Sequence, residues 1–274
     1  MSQPLKFAYF GTPAVAATTL ERLLAAGMRP LLVVTNPDAP AGRGRELTPS
    51  AAHMVAERHG IPLLTPSALD AAAIGAIKGY GADLAVVVAY GKIFPQALID
   101  AFPMGAINVH YSLLPRWRGA SPMESALLAG DLETGVTIQQ MALAMDAGDI
   151  LAQESTTIGT EETARELRPR LISMGASMLV ELLPRLTAGE VTRTPQDHAL
   201  ATRAKKFAKA DGELSLDGDP LENWRKYRAY ADTIGTYFFR DGVRYKITAA
   251  SLKNGRFTVE RIIPEGKKET DWQG

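Results

Sequence analysis

Residues 83–88, with the sequence DLAVVV, contain an aliphatic run from Leu84 onward that indicates the fold of the first part of the chain. Apolar side chains on both faces of such a strand are typical of a parallel sheet that is covered by helices on both sides. Similar strand patterns occur at Leu5–Phe10, Pro30–Thr35 and Ala106–His110. Helical patterns alternate with them at residues 14–26, 50–59, 67–78 and 95–101. This alternation predicts an α/β domain with a doubly wound, mostly parallel sheet.

The later part of the chain predicts the end of this domain and a second, smaller one. Two further strands are predicted at Gly135–Met141 and Ile150–Ile158, before a long helix over Glu161–Leu186 with Thr160 as its N-cap. Apolar periodicity is then lost, and a later alternation of aromatic and polar residues carries hairpin signals at Asp241-Gly242 and Asn254-Gly255. We therefore predict a first domain at residues 1–188, a linker at 189–206 and a small β domain at 207–274.

The composition bounds the class of protein. The chain has 274 residues, of which 46% are hydrophobic and 22% are charged, as in ordinary globular proteins. No apolar run approaches the roughly 18 residues that a membrane span needs, and no presequence pattern begins the chain, so we expect a cytoplasmic protein without membrane attachment. Because there are no cysteines, a disulfide framework, a thiolate nucleophile and a cysteine-ligated metal are all excluded.

The net charge of zero hides an asymmetry between the two parts of the chain. Residues 1–192 contain 14 Lys and Arg against 18 Asp and Glu, whereas residues 193–274 contain 16 against 12. A basic tail suggests a polyanionic partner, although a difference of this size is also common by chance. Charge alone therefore leaves nucleic-acid binding open.

Three loops leave the carboxyl ends of the predicted strands, which is where ligands bind in open α/β sheets. They are Gly11-Thr12-Pro13, Ala89-Tyr90-Gly91 and residues 108–112. The first loop lacks the second and third glycines of the dinucleotide fingerprint and has a proline in the turn. The sequence therefore predicts neither an NAD site nor a phosphate-binding P-loop.

Polar side chains at the end of one strand suggest chemistry at this edge. Asn108 and His110 lie two residues apart, so their side chains point to the same face of the sheet. A carboxamide and a protonated imidazole both donate hydrogen bonds, as an oxyanion requires. Asp146, in a loop after a later strand, could support His110 or relay a proton. The alternative is structural: the Asn–His pair ends a strand, and Asp146 forms an Asx turn before Gly148.

Several motifs carry a resemblance to a known family. They are FGTP (10–13), NPDAPAGRGRELTPS (36–50), VVVAYGKIFP (86–95), NVHYSLLPRWRGASP (108–122), MALAMDAGDI (141–150) and PEGKKE (264–269). Together they resemble the methionyl-tRNA formyltransferases. The shorter core of Asn108, His110, SLLP and Asp146 is similar to the wider group of 10-formyltetrahydrofolate-dependent formyltransferases.

The resemblance implies transfer of a formyl group from 10-formyltetrahydrofolate to the α-amino group of methionyl initiator tRNA. It implies that Asn108 and protonated His110 stabilise the oxyanion, that Asp146 supports His110 and helps to remove the amine proton, and that no metal takes part. Residues 1–188 would be the catalytic domain, and residues 207–274 a shortened, OB-type β-barrel that binds tRNA. A monomer is expected.

The resemblance also implies two sets of binding residues. The folate would contact Ala89, Tyr90, Gly91, Ile93, Ser112, Leu113, Leu114, Pro115 and Met141. The tRNA would contact Arg43, Arg45, Lys206 and Lys209. A Gly- and Pro-rich loop is more often a mobile surface connection, and a charged linker is often only solvated, so both structural interpretations stay open.

The chain departs from the family in two places. Asp38 and Glu46 offset the charges of Arg43 and Arg45, and the tail lacks a stretch between Leu252 and Arg261. Three other functions remain as alternatives: a sugar or nucleotide amine N-formyltransferase, a formyltetrahydrofolate deformylase, and a non-catalytic RNA-binding protein.

Overall fold

The computed structural model describes residues 5–41 and 46–274. The helices are α1 Ala14–Ala25, α2 Ala51–Arg58, α3 Ala71–Lys78, α4 Gln96–Ile99, α5 Pro122–Ala129, α6 Ala164–Thr187 and α7 Pro220–Tyr230. The strands are β1 Phe7–Gly11, β2 Leu32–Val34, β3 Ala39–Ala41, β4 Glu46–Thr48, β5 Leu63–Leu64, β6 Leu84–Val88, β7 Ala106–His110, β8 Arg118–Gly119, β9 Glu133–Gln140, β10 Ile150–Thr157, β11 Arg203–Ala204, β12 Thr236–Arg240, β13 Val243–Lys253, β14 Arg256–Pro264 and β15 Thr270–Asp271. Short 3₁₀ turns occur at His198–Leu200 and Lys209–Gly212.

The main sheet has seven strands in the order β10-β9-β7-β6-β1-β2-β5. Strands β7, β6, β1, β2 and β5 run parallel to one another, whereas β9 is antiparallel to β7. All residues of β1 and β6 are buried, as the aliphatic run at 84–88 predicted for a central strand. The predicted doubly wound, mostly parallel α/β fold is confirmed.

The chain forms two compact units. The first comprises the described residues of Met1–Pro115, Val136–Glu154 and Leu171–Ala201. The second comprises Arg116–Gly135, Ser155–Arg170 and Thr202–Gly274. The predicted division into a first domain at 1–188, a linker at 189–206 and a small β domain at 207–274 stays a prediction.

The second unit contains a separate antiparallel sheet with the strand order β12-β13-β14-β15. Leu214, Phe238, Ile247, Val259 and Ile262 form its buried core. Both hairpin signals are confirmed, because Asp241-Gly242 and Asn254-Gly255 form the turns with all four residues at positive φ. A small C-terminal β structure was predicted and is confirmed; it is a four-stranded meander, whereas a complete OB barrel has five strands.

Two helices differ from the sequence expectation. Helix α6 begins at Ala164 rather than Glu161, because Glu166 accepts hydrogen bonds from the backbone N–H and the hydroxyl of Thr163 at 2.8 and 2.9 Å. Helix α7 was not predicted, although the sequence carries its start signal. Asp219 caps the N–H of Glu222 at 2.7 Å, and Pro220 occupies the first helical position.

None of the helices described in residues 5–41 and 46–274 combines the length and the hydrophobicity that a membrane crossing requires.

Candidate active site

Strands β7 and β9 bring four polar side chains to one face of the sheet. Asn108 is paired with Gln139, and His110 is paired with Thr137. Residues that lie directly opposite in an antiparallel pair project to the same face. His110 and Gln139 are buried, with 5% and 1% of their surface exposed, and Asn108 is half-buried. The structure therefore places the predicted Asn–His pair together at the carboxyl end of β7, within the first unit.

Asp146 lies beside this pair. Its Oδ2 atom is 3.7 Å from Nδ1 of His110, and the side chains are 14% and 6% exposed. Its Oδ1 atom accepts a hydrogen bond of 2.8 Å from Nε2 of Gln139. The backbone of Asp146 is left-handed, with φ of 52°, a conformation that aspartate tolerates better than most residues. Predicted Asn108, His110 and Asp146 thus meet in one cluster.

The segment Ser112–Pro115 leaves His110 and is held by one hydroxyl group. Oγ1 of Thr137 donates to the carbonyl of Ser112 at 2.7 Å and accepts from the N–H of Leu114 at 3.1 Å. Nε2 of Gln153 donates to the same hydroxyl at 2.8 Å and to the carbonyl of Leu114 at 3.0 Å. All hydrogen-bonding positions of Thr137 are used, so the segment has a defined shape. Ser112 and Leu114 are buried, while Leu113 and Pro115 are half-buried.

The carboxyl ends of β1, β2 and β6 are joined by side chains in the same crevice. Nδ2 of Asn36 donates to Oγ1 of Thr12 at 3.1 Å and to the carbonyl of Tyr90 at 2.9 Å. Thr12 itself donates to that carbonyl at 3.3 Å. Because β6 is parallel to β7, this cluster lies at the same sheet edge as His110. The loops at 11–13 and 89–91 therefore converge at this edge of the sheet.

The other predicted folate-binding residues differ in exposure. Ala89, Gly91 and Ile93 are exposed, with Ile93 at 83%, and Met141 is half-buried. Tyr90 instead packs its ring into the core, against Phe10 and Phe94 with centroid distances of 5.5 and 5.9 Å. Burial raises the pKa of Tyr90 to about 12. Only the backbone of Tyr90 faces the crevice as a hydrogen-bonding group.

The predicted tRNA-binding residues lie in two regions. Arg43 and Arg45 fall outside the described residues; on either side of them β3 and β4 pair as a hairpin stem, with Pro40 opposite Leu47. Lys206 and Lys209 are exposed, whereas the neighbouring Lys205 forms an ion pair of 3.2 Å with Asp211.

In the RWRG motif at residues 116–119, Arg116 is paired with a carboxylate of the second unit. Arg116 forms a two-point contact with Asp131 at 3.0 and 2.6 Å, and Nε1 of Trp117 donates to the same carboxylate at 2.7 Å. The hydrogen bond from Asp131 raises the pKa of the Arg116 guanidinium. An internal carboxylate therefore pairs with the Arg116 guanidinium.

Sequence reasoning missed the glutamine residues around Asp146 and the hydroxyl of Thr137. Thr137 and Gln139 could have been found, because they alternate along β9 with apolar Val136 and Ile138. Gln196 carries no such local signal. It is buried, with 6% exposure, and its side chain donates to the carbonyl of Asp146 at 3.0 Å from a position 50 residues away.

In the part of the chain that the structure describes, no group of three or more His, Asp or Glu side chains is arranged to hold a metal ion.

Comparison with known proteins gives consistent matches. Residues 5–183 match the model of the family described as Formyl transferase. The chain is 45% identical over 239 residues to the methionyl-tRNA formyltransferase of Nitratidesulfovibrio vulgaris, covering 86% of this chain and 72% of that one. It is 43% identical over 268 residues to the methionyl-tRNA formyltransferase of Stutzerimonas stutzeri, covering 97% and 85%. A solved methionyl-tRNA formyltransferase from Clostridium thermocellum has the same fold, with a TM-score of 0.64, 15% identity, and coverage of 94% of this chain and 99% of that one.

Proposed function

Since the chain belongs to the methionyl-tRNA formyltransferases of the formyl transferase family, we propose that it transfers the formyl group of 10-formyltetrahydrofolate to the α-amino group of methionyl initiator tRNA. One observation carries the proposal at the level of chemistry. The Asp146 carboxylate lies 3.7 Å from the His110 imidazole, on the sheet face that also bears Asn108. Two donors and one base at the carboxyl edge of an α/β sheet are what formyl transfer to an amine requires.

The proposed reaction begins with attack by the neutral amine nitrogen on the formyl carbon. A C–N bond forms, and the carbonyl oxygen gains negative charge, which the Asn108 carboxamide and the protonated His110 imidazole stabilise by donating hydrogen bonds. The Asp146 carboxylate on the Nδ1 side of the ring stabilises the positive charge of the imidazolium. Asp146, directly or through one water, accepts the proton that the amine loses.

Collapse of the tetrahedral intermediate completes the transfer. The bond between the formyl carbon and N10 of the folate breaks, and N10 takes up the proton that Asp146 accepted, directly or through water, to give tetrahydrofolate and restore the Asp146 carboxylate. The products are N-formylmethionyl-tRNA and tetrahydrofolate. Because the amine attacks the formyl carbon directly, no covalent enzyme intermediate is needed.

The folate binds, in this proposal, along Ser112–Pro115 and the loops at residues 89–93 and 141–146. The hydrogen bonds of Thr137 and Gln153 support this assignment, since they hold Ser112–Pro115 in one shape before a ligand arrives. Arg43, Arg45, Lys206 and Lys209 are proposed to contact the tRNA backbone, which is a polyanion. Binding energy from the tRNA then brings the amine to the formyl carbon.

A formylation assay tests the function. The protein is incubated with 10-formyltetrahydrofolate and either methionylated initiator or methionylated elongator tRNA, and formate release is followed in parallel. We expect formyl-methionine on the initiator tRNA. Formate without tRNA product would indicate a deformylase. If neither formyl-methionyl-tRNA nor formate forms, the proposal is contradicted, and amino sugars are the next acceptors to test.

The same assay tests the role of His110. Replacing His110 by Ala removes one oxyanion donor, so kcat should fall by about 10² or more. His59→Ala is the matched control, because His59 lies on the surface and contacts Glu21 at 3.1 Å, and its rate should equal that of the parent. A near-normal rate for His110→Ala would remove His110 from the mechanism.

A further inference from the structure

Two buried glutamines that are not among the proposed catalytic residues donate hydrogen bonds to Asp146. Gln139 on β9 donates through Nε2 to Oδ1 of Asp146 at 2.8 Å. Gln196, beyond helix α6, donates through Nε2 to the carbonyl of Asp146 at 3.0 Å and to that of Gly148 at 2.6 Å. The same amide lies 3.3 Å from Oε1 of Gln139. The two side chains therefore hold both the carboxylate and the backbone of the loop.

Chemistry fixes the orientation of both amides. A carboxylate only accepts hydrogen bonds, so the group of Gln139 that faces Asp146 must be its NH₂. Its carbonyl oxygen then points to Gln196. The acceptors around Gln196 are two backbone carbonyls and this side-chain oxygen, so Gln196 must also present its NH₂. A flip of either amide would place two acceptors against each other.

The two carboxylate oxygens of Asp146 have different neighbours. Oδ1 is held by Gln139, which leaves Oδ2 as the oxygen nearer to His110. The loop itself is held in an uncommon left-handed conformation at Asp146, and Gln196 bonds the carbonyls on both sides of Ala147. Burying an amide costs free energy unless the amide is hydrogen-bonded. If Gln139 and Gln196 only filled space, apolar residues would do so at a lower cost in free energy.

We propose that Gln139 and Gln196 are positioning residues, which hold the Asp146 carboxylate with one oxygen directed to His110 during formyl transfer. The inference rests on the proposed function, because Asp146 must act in the reaction for its orientation to matter. Gln139 acts on the carboxylate, while Gln196 acts on the loop backbone and on the amide of Gln139.

Isosteric substitutions separate this role from packing. Gln139→Met and Gln196→Met keep the length of the side chain but remove its donors. We expect kcat to fall about tenfold or more in each, with the KM values for tRNA and for 10-formyltetrahydrofolate within about twofold of the parent. Gln139→Glu places a second carboxylate against Asp146 and should lower kcat further than Gln139→Met does.

Gln140→Met is the matched control. Gln140 is the next residue on β9, on the opposite face, and its amide bonds the carbonyls of Ala106 at 3.0 Å and Met104 at 3.4 Å. Its kcat should stay within about twofold of the parent. If Gln140→Met lowers kcat as much as Gln139→Met does, the effect belongs to the strand as a whole, and the proposal is wrong.

A double-mutant cycle with Asp146→Asn supplies the decisive readout, measured under single-turnover conditions with enzyme in excess. If Gln139 acts through the carboxylate, Gln139→Met should cost much less in the Asp146→Asn background than in the parent. An equal fold-loss in both backgrounds, or a kcat within twofold of the parent for both methionine variants, would overturn the proposal.

These experiments also distinguish a failure of this inference from a failure of the proposed function. A parent protein that forms no formyl-methionine would overturn the function, and the inference with it. An active parent with unaffected glutamine variants would overturn the inference alone. If Gln196→Met does not fold, Gln139→Met decides, because it leaves the bonds from Gln196 to the loop backbone in place.

Discussion

At the scale of single residues, position 148 shows how closely the Asp146 loop approaches the sheet. A Cβ atom on Gly148 would lie 1.8 Å from the carbonyl oxygen of Gln140. Because this oxygen belongs to the backbone, no side-chain rotation can relieve the clash. Gly148→Ala should therefore destabilise the protein by about 1–3 kcal/mol and lower the formylation rate by displacing Asp146. The measurements are the urea concentration at half-unfolding and kcat.

Gly75→Ala is the control for this substitution. Gly75 lies in helix α3 with open space around its Cβ position, so alanine should leave the protein as stable or raise its stability by about 0.5–1 kcal/mol. Equal unfolding midpoints for Gly148→Ala and the parent would show that the loop can move away from Gln140.

At the scale of elements, helix α6 depends on Glu166 for its first turn. The N–H of Thr163 and then its hydroxyl lower the pKa of the Glu166 carboxyl by donating hydrogen bonds to it. Glu166→Ala should cost about 1 kcal/mol at pH 7. Because the pKa is lowered in the folded state, this contribution is present above the ordinary value of about 4.3 and is lost as pH falls through the lowered pKa.

Urea unfolding at pH 7 and at about pH 3.5 tests this dependence. The difference between the parent and Glu166→Ala should shrink at the lower pH. Glu166→Gln is the conservative variant, since glutamine can also cap the helix but does not titrate. It should unfold near the parent at pH 7, and a loss as large as that of alanine would assign the effect to charge rather than to capping.

At the scale of the whole molecule, charge is distributed unevenly along the chain, with 16 Lys and Arg against 12 Asp and Glu in residues 193–274. Lys206 and Lys209 are exposed in this basic part. Replacing both by alanine should weaken tRNA binding at low salt. It should also reduce the slope of log K against log salt by about 1 to 2, because fewer counterions are released.

Filter binding or fluorescence at several salt concentrations measures this slope. The control is the double substitution Lys6→Ala and Lys78→Ala, which removes the same charge from exposed positions in the first unit. If the two double variants have the same slope, Lys206 and Lys209 contribute only general charge and make no direct phosphate contacts.

The sequence by itself determined the features that depend on neighbouring residues. Aliphatic runs predicted the central strands, and the Asp-Gly and Asn-Gly pairs predicted the hairpin turns, because strand and turn preferences act over a few residues. The common face of Asn108 and His110 followed from the two-residue repeat of a strand. The start of helix α7 is likewise encoded locally, by Asp219 and Pro220.

Only the tertiary structure decided which distant residues meet. Asp146 reaches His110 because β9 lies antiparallel beside β7, and Gln196 reaches Asp146 from 50 residues away. Asp131 likewise pairs with Arg116 from a position 15 residues away. Strand order, strand direction and register set these contacts. Local patterns do not encode them, since one apolar strand pattern is compatible with several neighbours, and the packing of the whole chain selects one of them.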